Sequence, residues 1–262
     1  MEPMILLAQL SDTHFDLYEH NAERVERVMA YLADLPRRPD AILVTGDITD
    51  TGEPGQYEQA RTALLADVPV YFLPGNHDDR AALREVLLRE PPTTGALNQA
   101  LRLDGVTVAL LDSTVPGYSG GTLSDATLAW LADLLRETPA TDAVLVALHH
   151  PPLPMYSTVV DPIRLTNPDP LERLVAADDR IVGVISGHMH AMGTTLFGGR
   201  PLVVAPSVAS LIGGVWEVAR PGQVPIDYGP DPSILLHVIE DHRLTSIVRT
   251  VPMGGWIGVQ PR

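Results

Sequence analysis

Five short apolar runs, Ile5–Leu10, Ala41–Val44, Val68–Leu73, Ala143–Leu148 and Ile181–Ile185, each break into a polar loop that carries Asp, Asn or His. Runs of this length read as strands. In α/β sheets the loops at the carboxyl ends of the strands lie along one edge, where ligands bind. One fold can therefore bring Asp12, His14, Asp47, Asn76, His149, His188 and His190 to a single point. Their imidazole, carboxylate and amide donors make a metal-dependent hydrolase the first expectation.

Helical patterns separate the runs. A helix is predicted over Asn21–Leu35, with Val25, Val28, Met29 and Leu32 on one face and Pro36 and Pro39 bounding it. Further helices are predicted at Gly55–Ala66, Asp79–Leu88, Ser124–Glu137 (capped by Ser124) and Pro170–Ala177. Val106–Leu111, Leu202–Val204, Ile234–Ile239 and Leu244–Val251 add strands. The first half is β-α-β in character and the last part is mostly strands and loops. This predicts an α/β fold, a two-sheet β-sandwich flanked by helices, rather than one doubly wound sheet.

Residues 1–215 are expected to form the catalytic core. Residues 216–262 are expected to form a C-terminal extension that completes the sheet, with a Pro/Gly-rich link at Val218–Pro232 ahead of its two strands. The tail Met253–Arg262, with Trp256 and Ile257, is expected to dock on the core; the alternative is a second subunit in a homodimer.

The chain has 262 residues, 45% of them hydrophobic, enough for one large domain with a substantial core. It contains no cysteine, which excludes disulfides, thiolate metal sites and a Cys nucleophile. A metal held by the remaining donors would be manganese (Mn2+), iron (Fe2+/Fe3+), zinc (Zn2+) or cobalt (Co2+). The net charge of −15 argues against nucleic acid as a partner. It also opposes a phosphate substrate, unless two divalent cations reverse the local field. No apolar run approaches the roughly 18–20 residues that span a bilayer. Glu2 and the run Met4–Leu10 leading into Asp12 do not resemble a signal peptide, so a cytoplasmic location is expected.

Asp12-x-His14 and His188-x-His190 would each place two donors on one side of an extended segment, because side chains alternate with period two. Asp47 follows Gly46 at a strand end, and its two oxygens can bridge two cations. In Gly75-Asn76-His77-Asp78 the glycine permits a tight approach, Asn76 offers a neutral amide oxygen, and His77 projects beside the metal rather than onto it. Of the adjacent His149 and His150, His149 is the first residue after its strand and is preferred as ligand, with His150 as the fallback. His20, His237 and His242 have no such context and are read as surface or hydrogen-bonded histidines.

Taken together, Asp-x-His, Gly-Asp, Gly-Asn-His-Asp, His-His-Pro-Pro and Gly-His-x-His, in this order from Asp12 to His190, resemble the calcineurin-like metallophosphoesterase superfamily. The pattern looks most like its class III cyclic-nucleotide phosphodiesterase and glycerophosphodiesterase branch. The resemblance implies the αββα fold and a two-metal site. Asp12, His14 and His190 would hold one ion, Asn76, His149 and His188 the other, and Asp47 would bridge them. It further implies in-line attack on phosphorus by a hydroxide between the ions, with His77 as the acid at the leaving group. Asn76 would also touch phosphate, and Asp50 would orient His77. The expected substrate is a small phosphodiester, a cyclic nucleotide or a glycerophosphodiester. A phosphomonoesterase is the alternative, and a non-catalytic scaffold a more distant one.

Overall fold

The apolar runs pair into two sheets rather than one. The computed structural model describes residues 4–255 other than Ala219 and Pro221. Its first half runs β1 (Ile5–Leu10), α1 (Glu19–Ala33), β2 (Ala41–Thr45), α2 (Pro54–Ala63), β3 (Val70–Leu73), α3 (Arg80–Leu83), β4 (Gln99–Leu103), β5 (Val106–Leu111) and α4 (Asp125–Glu137). There follow β6 (Ala143–Leu148), α5 (Pro168–Ala177), β7 (Ile181–Ser186), β8 (Gly193–Phe197), β9 (Arg200–Val204), β10 (Leu211–Ile212), β11 (Ile226–Asp227), β12 (Ser233–Glu240) and β13 (Arg243–Thr250).

The first sheet has the order β13-β12-β1-β2-β3, with β1, β2 and β3 parallel and β12 antiparallel to β1. The second has the order β4-β5-β6-β7-β9-β8, parallel from β5 to β9 with antiparallel strands at both edges. Their facing sides bury Leu7, Leu43, Leu73 and Leu235 against Val108, Leu145, Ala147 and Ile185. Helices α1 and α2 cover the outer face of the first sheet through Val25, Val28, Leu32, Tyr57 and Ala60. Helices α4 and α5 cover the second through Leu131, Leu134, Leu171 and Val175. The strands are continuous apolar runs because both of their faces are buried. At about 1.5–3 kcal/mol for each buried large side chain, these three layers dominate the stability of the fold.

The local chemistry agrees with the sequence reading at several ends. Ser124 caps α4 by accepting from Thr127 N, and Asp79 caps α3 by accepting from Ala82 N. The helix predicted over Asp79–Leu88 is only partly α. After one turn it widens into a π-helical turn at Arg84–Leu88, where the Arg84 guanidinium donates to the carbonyls of Thr93, Gly95 and Ala96. Strands β4 and β8 carried no apolar run because they are edge strands, partly open to solvent. The C-terminal hairpin is built into the core: β12 lies between β13 and β1 and buries Ile234, Leu235 and Ile239. Trp256 and Ile257 lie outside the described residues. No described helix is long and apolar enough to cross a membrane.

What this topology positions is the junction between the carboxyl ends of β1, β2 and β3 in one sheet and of β6 and β7 in the other.

Candidate active site

The loops leaving β1 and β2 are stitched together by their backbones, Asp12 N to Gly46 O and His14 N to Asp47 O, both 3.0 Å. Gly187 N donates to His149 O in the same way across the second sheet. A bond from His188 N to Asp12 Oδ2, 3.0 Å, joins the two sheets at the site. Gly75 allows the loop after β3 to close onto β2, since a Cβ there would collide with Asp47. Gly46, at φ +95°, turns the chain so that the His149 ring can lie against it.

These loops bring the predicted donors together in two groups. In one, His14 Nε2 lies 3.1 Å from His190 Nε2, which is 3.4 Å from Asp12 Oδ1. In the other, His149 Nε2 lies 3.1 Å from His188 Nδ1. Asp47 faces both, with Oδ1 3.4 Å from His149 Nε2 and Oδ2 3.8 Å from His14 Nε2. Two imidazole nitrogens each about 2.1 Å from one ion stand about 3 Å apart, so these spacings fit shared cations. Two of the donors also pass a stricter test of fit: Asp12 Oδ1 and Asn76 Oδ1 are buried without a hydrogen-bond partner. Buried polar atoms are rarely left so, and a cation is one group that satisfies a carboxylate and an amide oxygen alike.

The convergence does not come from the alternation of an extended chain. Asp12, His14, Asp47, His188 and His190 all have positive φ, between 44° and 71°. The loops after β1, β2 and β7 turn through left-handed kinks at these residues. His188 and His190 accordingly point to different groups, one towards His149 and the other towards His14.

The outer ring nitrogens are fixed by the protein. His149 Nδ1 lies 2.8 Å from the Thr45 carbonyl, and His190 Nδ1 lies 2.8 Å from Ser210 Oγ. His150 has both ring nitrogens engaged, Nδ1 with Ser113 Oγ and Nε2 with the Ser119 carbonyl, which favours His149 over its neighbour as the available donor. Asp50 behaves differently from the sequence expectation. Its carboxylate lies 3.4 Å from His14 Nδ1, whereas His77 Nδ1 takes the Asp50 backbone carbonyl at 2.7 Å. The side chain of His77 is 40% exposed, and its Nε2 is 4.0 Å from Asp47 Oδ2. Asp78 ties the loops together from behind, accepting from Ile48 N, Thr49 N, Thr49 Oγ1, Tyr57 OH and Gly75 N.

The electrostatics are those of an anionic cradle. Burial opposes ionisation of Asp12, yet the imidazoles of His190 and His149 together outweigh it and bring the pKa down to about 2. Burial likewise opposes charge on His149, but the Asp47 carboxylate, helped by Asp12 and the Thr45 carbonyl, overrides it and lifts the pKa to about 9. His188 lacks such compensation; burial, reinforced by His149, pushes it down to about 3, leaving a neutral imidazole suited to ligation.

Residues 5–192 match the calcineurin-like phosphoesterase family. The chain belongs to that family. It is 34% identical over 268 residues to a probable cyclic nucleotide phosphodiesterase of Rhodococcus erythropolis, covering 98% of this chain and 86% of that protein. It is 35% identical over 246 residues to a glycerophosphodiester phosphodiesterase of Enterobacter lignolyticus, covering 89% and 86%. Its fold is similar to that of a dimetal phosphatase from Danio rerio, with a TM-score of 0.65 at 15% identity over 95% of this chain and 99% of that one. This phosphoesterase is a metal-dependent hydrolase of phosphoric esters.

In the phosphoesterase the donor groups open into a cavity of about 370 Å³. Val159, Val160, Ile163, Ile212, Ile226 and Tyr228 form its apolar wall, and Asp16, Asn21 and Asp50 its polar rim. No Lys or Arg among the described residues lines it. The loops Leu153–Pro168 and Ser207–Val218 contribute to this wall. Tyr156 faces a separate surface cavity and is 67% exposed. Ile226 and Tyr228 were missed in the sequence because they sit in the Pro/Gly-rich link, which folds back over the site through the pairing of β10 with β11. Ser210 carried no signal either, since its partner His190 is distant in sequence.

Proposed function

We propose that this chain hydrolyses small phosphodiesters, cyclic nucleotides or glycerophosphodiesters, at a dinuclear cation site. The observation that carries the reading is the position of Asp47, with one carboxylate oxygen turned to each imidazole pair, as a bridge between two cations requires. Asp12, His14 and His190 would hold one cation, and Asn76, His149 and His188 the other. Bound divalent cations would supply a water of lowered pKa and neutralise the phosphoryl oxygens. The donors are nitrogen and oxygen alone, which suits manganese, iron, zinc or cobalt.

The remaining chemistry belongs to the side chains. His77 stands beside the site with Nδ1 fixed by a carbonyl, which leaves Nε2–H available to the leaving oxygen only when the ring carries both protons. Asn76 has an amide that can hold a cation through oxygen and a phosphoryl oxygen through nitrogen. The cavity, with its acidic rim and without Lys or Arg among the described residues, suits the single charge of a diester better than the double charge of a monoester.

The test compares bis(p-nitrophenyl) phosphate with p-nitrophenyl phosphate on chelator-stripped protein before and after reloading with Mn2+. Activity should return only with the metal, and kcat/KM should favour the diester. A reloaded protein that prefers the monoester overturns the diesterase reading.

A further inference from the structure

A linear phosphodiester carries two arms that diverge from phosphorus, so a centre built for one needs two spaces meeting at the reacting atom. The cavity above the donor groups is one such space. A second, of about 270 Å³, opens beyond the Gly75–Asp79 loop, and the linings of the two share only Asn76 and His77. We propose that this second cavity is a subsite for a neutral, hydroxylated arm of the diester, such as glycerol. The proposal rests on the phosphodiesterase reading above and deepens it.

The chemistry of its walls differs from that of the first cavity. Thr51, Thr94, Thr114 and Arg80 line it. The Arg80 guanidinium is held in place, with Nε 2.7 Å from Asp112 Oδ2, Nη1 donating to Thr94 O and Nη2 to Thr114 O. Asp112 is fully buried and offsets the charge of Arg80. Each terminal nitrogen has two N–H bonds, so one on each is left over after the carbonyls are served. Thr51 and Thr94 make their hydrogen bonds through backbone atoms, Thr51 N to Gln56 and Thr94 O to Arg80, which leaves their hydroxyls for a ligand. Asp78 and Asp79 also line the cavity, so the subsite offers fixed donors, free hydroxyls and carboxylate acceptors, with no net positive charge. That combination recognises a polyol and gives nothing to a second phosphate or to a purely apolar arm. A cyclic nucleotide, with both ester oxygens on one ring system, has no separate arm to place there.

The experiment compares two diesters that share a leaving group, glycerol p-nitrophenyl phosphate and methyl p-nitrophenyl phosphate, on the Mn2+-loaded full chain. The wild type is expected to show a kcat/KM for the glycerol ester higher by about tenfold, the worth of one or two net hydrogen bonds. Val115→Trp and, independently, Thr94→Trp fill the cavity and should bring the ratio of the two substrates close to one. Metal content and urea midpoint establish that each variant is folded, and two variants guard against the loss of either. A wild type that hydrolyses both esters without preference overturns the subsite, as do folded variants that keep the preference. A wild type inert to both diesters overturns the phosphodiesterase reading itself, which separates the two failures.

Discussion

Asp78→Asn is expected to destabilise the fold strongly although it removes no bulk. The carboxylate is a pure acceptor serving five donors, with Ile48 N and Gly75 N on Oδ2, and Thr49 N, Thr49 Oγ1 and Tyr57 OH on Oδ1. An amide must turn an NH2 towards one of these sets. Turned towards Oδ2, it confronts two backbone N–H groups that cannot reorient. Turned towards Oδ1, it confronts one, because hydroxyls can rotate and Tyr57 OH already has the Asp79 carbonyl within 3.3 Å.

The cheaper orientation therefore leaves one donor unsatisfied, at about 1–3 kcal/mol, and weakens the two surviving charge-assisted bonds by roughly 1 kcal/mol in sum. The expected loss is about 2–4 kcal/mol. It should be measured by urea denaturation of the chelator-stripped protein, so that cation binding does not enter the difference. The neighbouring Asp79→Asn provides the control: Asp79 only caps α3, a role that Asn fills equally well, and its change should lie within about 0.5 kcal/mol. If Asp78→Asn cost no more than Asp79→Asn, the role of Asp78 as the knot behind the site would be wrong.

Asp50→Ala removes the carboxylate from His14 but keeps the carbonyl that holds His77. Cation affinity measured by titration should fall about 10–100-fold, while the dependence of kcat on leaving-group pKa is unchanged; a change in that dependence with normal metal affinity would restore Asp50 as the orienter of His77. His237 gives a pH effect. Burial pushes its pKa down to about 4, so the folded state binds fewer protons than the unfolded state between that value and the usual 6.5. Stability is full above pH 6.5 and falls as pH drops towards 4, by on the order of 3 kcal/mol from this group. In His237→Asn the slope of unfolding free energy against pH across that window should be shallower by nearly one proton; an identical slope refutes the assignment.

The strand ends were legible in the sequence because parallel strands covered on both faces must be apolar throughout, and a polar donor immediately after such a run stands out. The partition of the donors was legible only through the resemblance, since nothing in the spacing of His188 and His190 tells which group each one faces. Asp50 shows the limit clearly. Its offset from Asp47 was readable, but whether its carboxylate turns to His14 or to His77 depends on the kink at the end of β2. His237 is buried, with Nε2 on Gln9 Oε1 and Nδ1 on Ser246 Oγ, and Gln9 comes from the other end of the chain. Tyr228 reaches the cavity through a two-residue pairing too short to leave any periodicity.

The left-handed kinks at five of the candidate donors carry a consequence for how the site is assembled. Positive φ costs an L-residue roughly 1–2 kcal/mol, less for Asp, whose short side chain can bond locally. That cost is met when the chain folds, since the kinks are held by backbone bonds such as Asp12 N to Gly46 O and by the bridge from His188 N to Asp12. Cation exchange then requires rotation of side chains but no rearrangement of the main chain. With the main chain fixed by its own hydrogen bonds, the torsions of the donor side chains are what adjusts to ions of different radius.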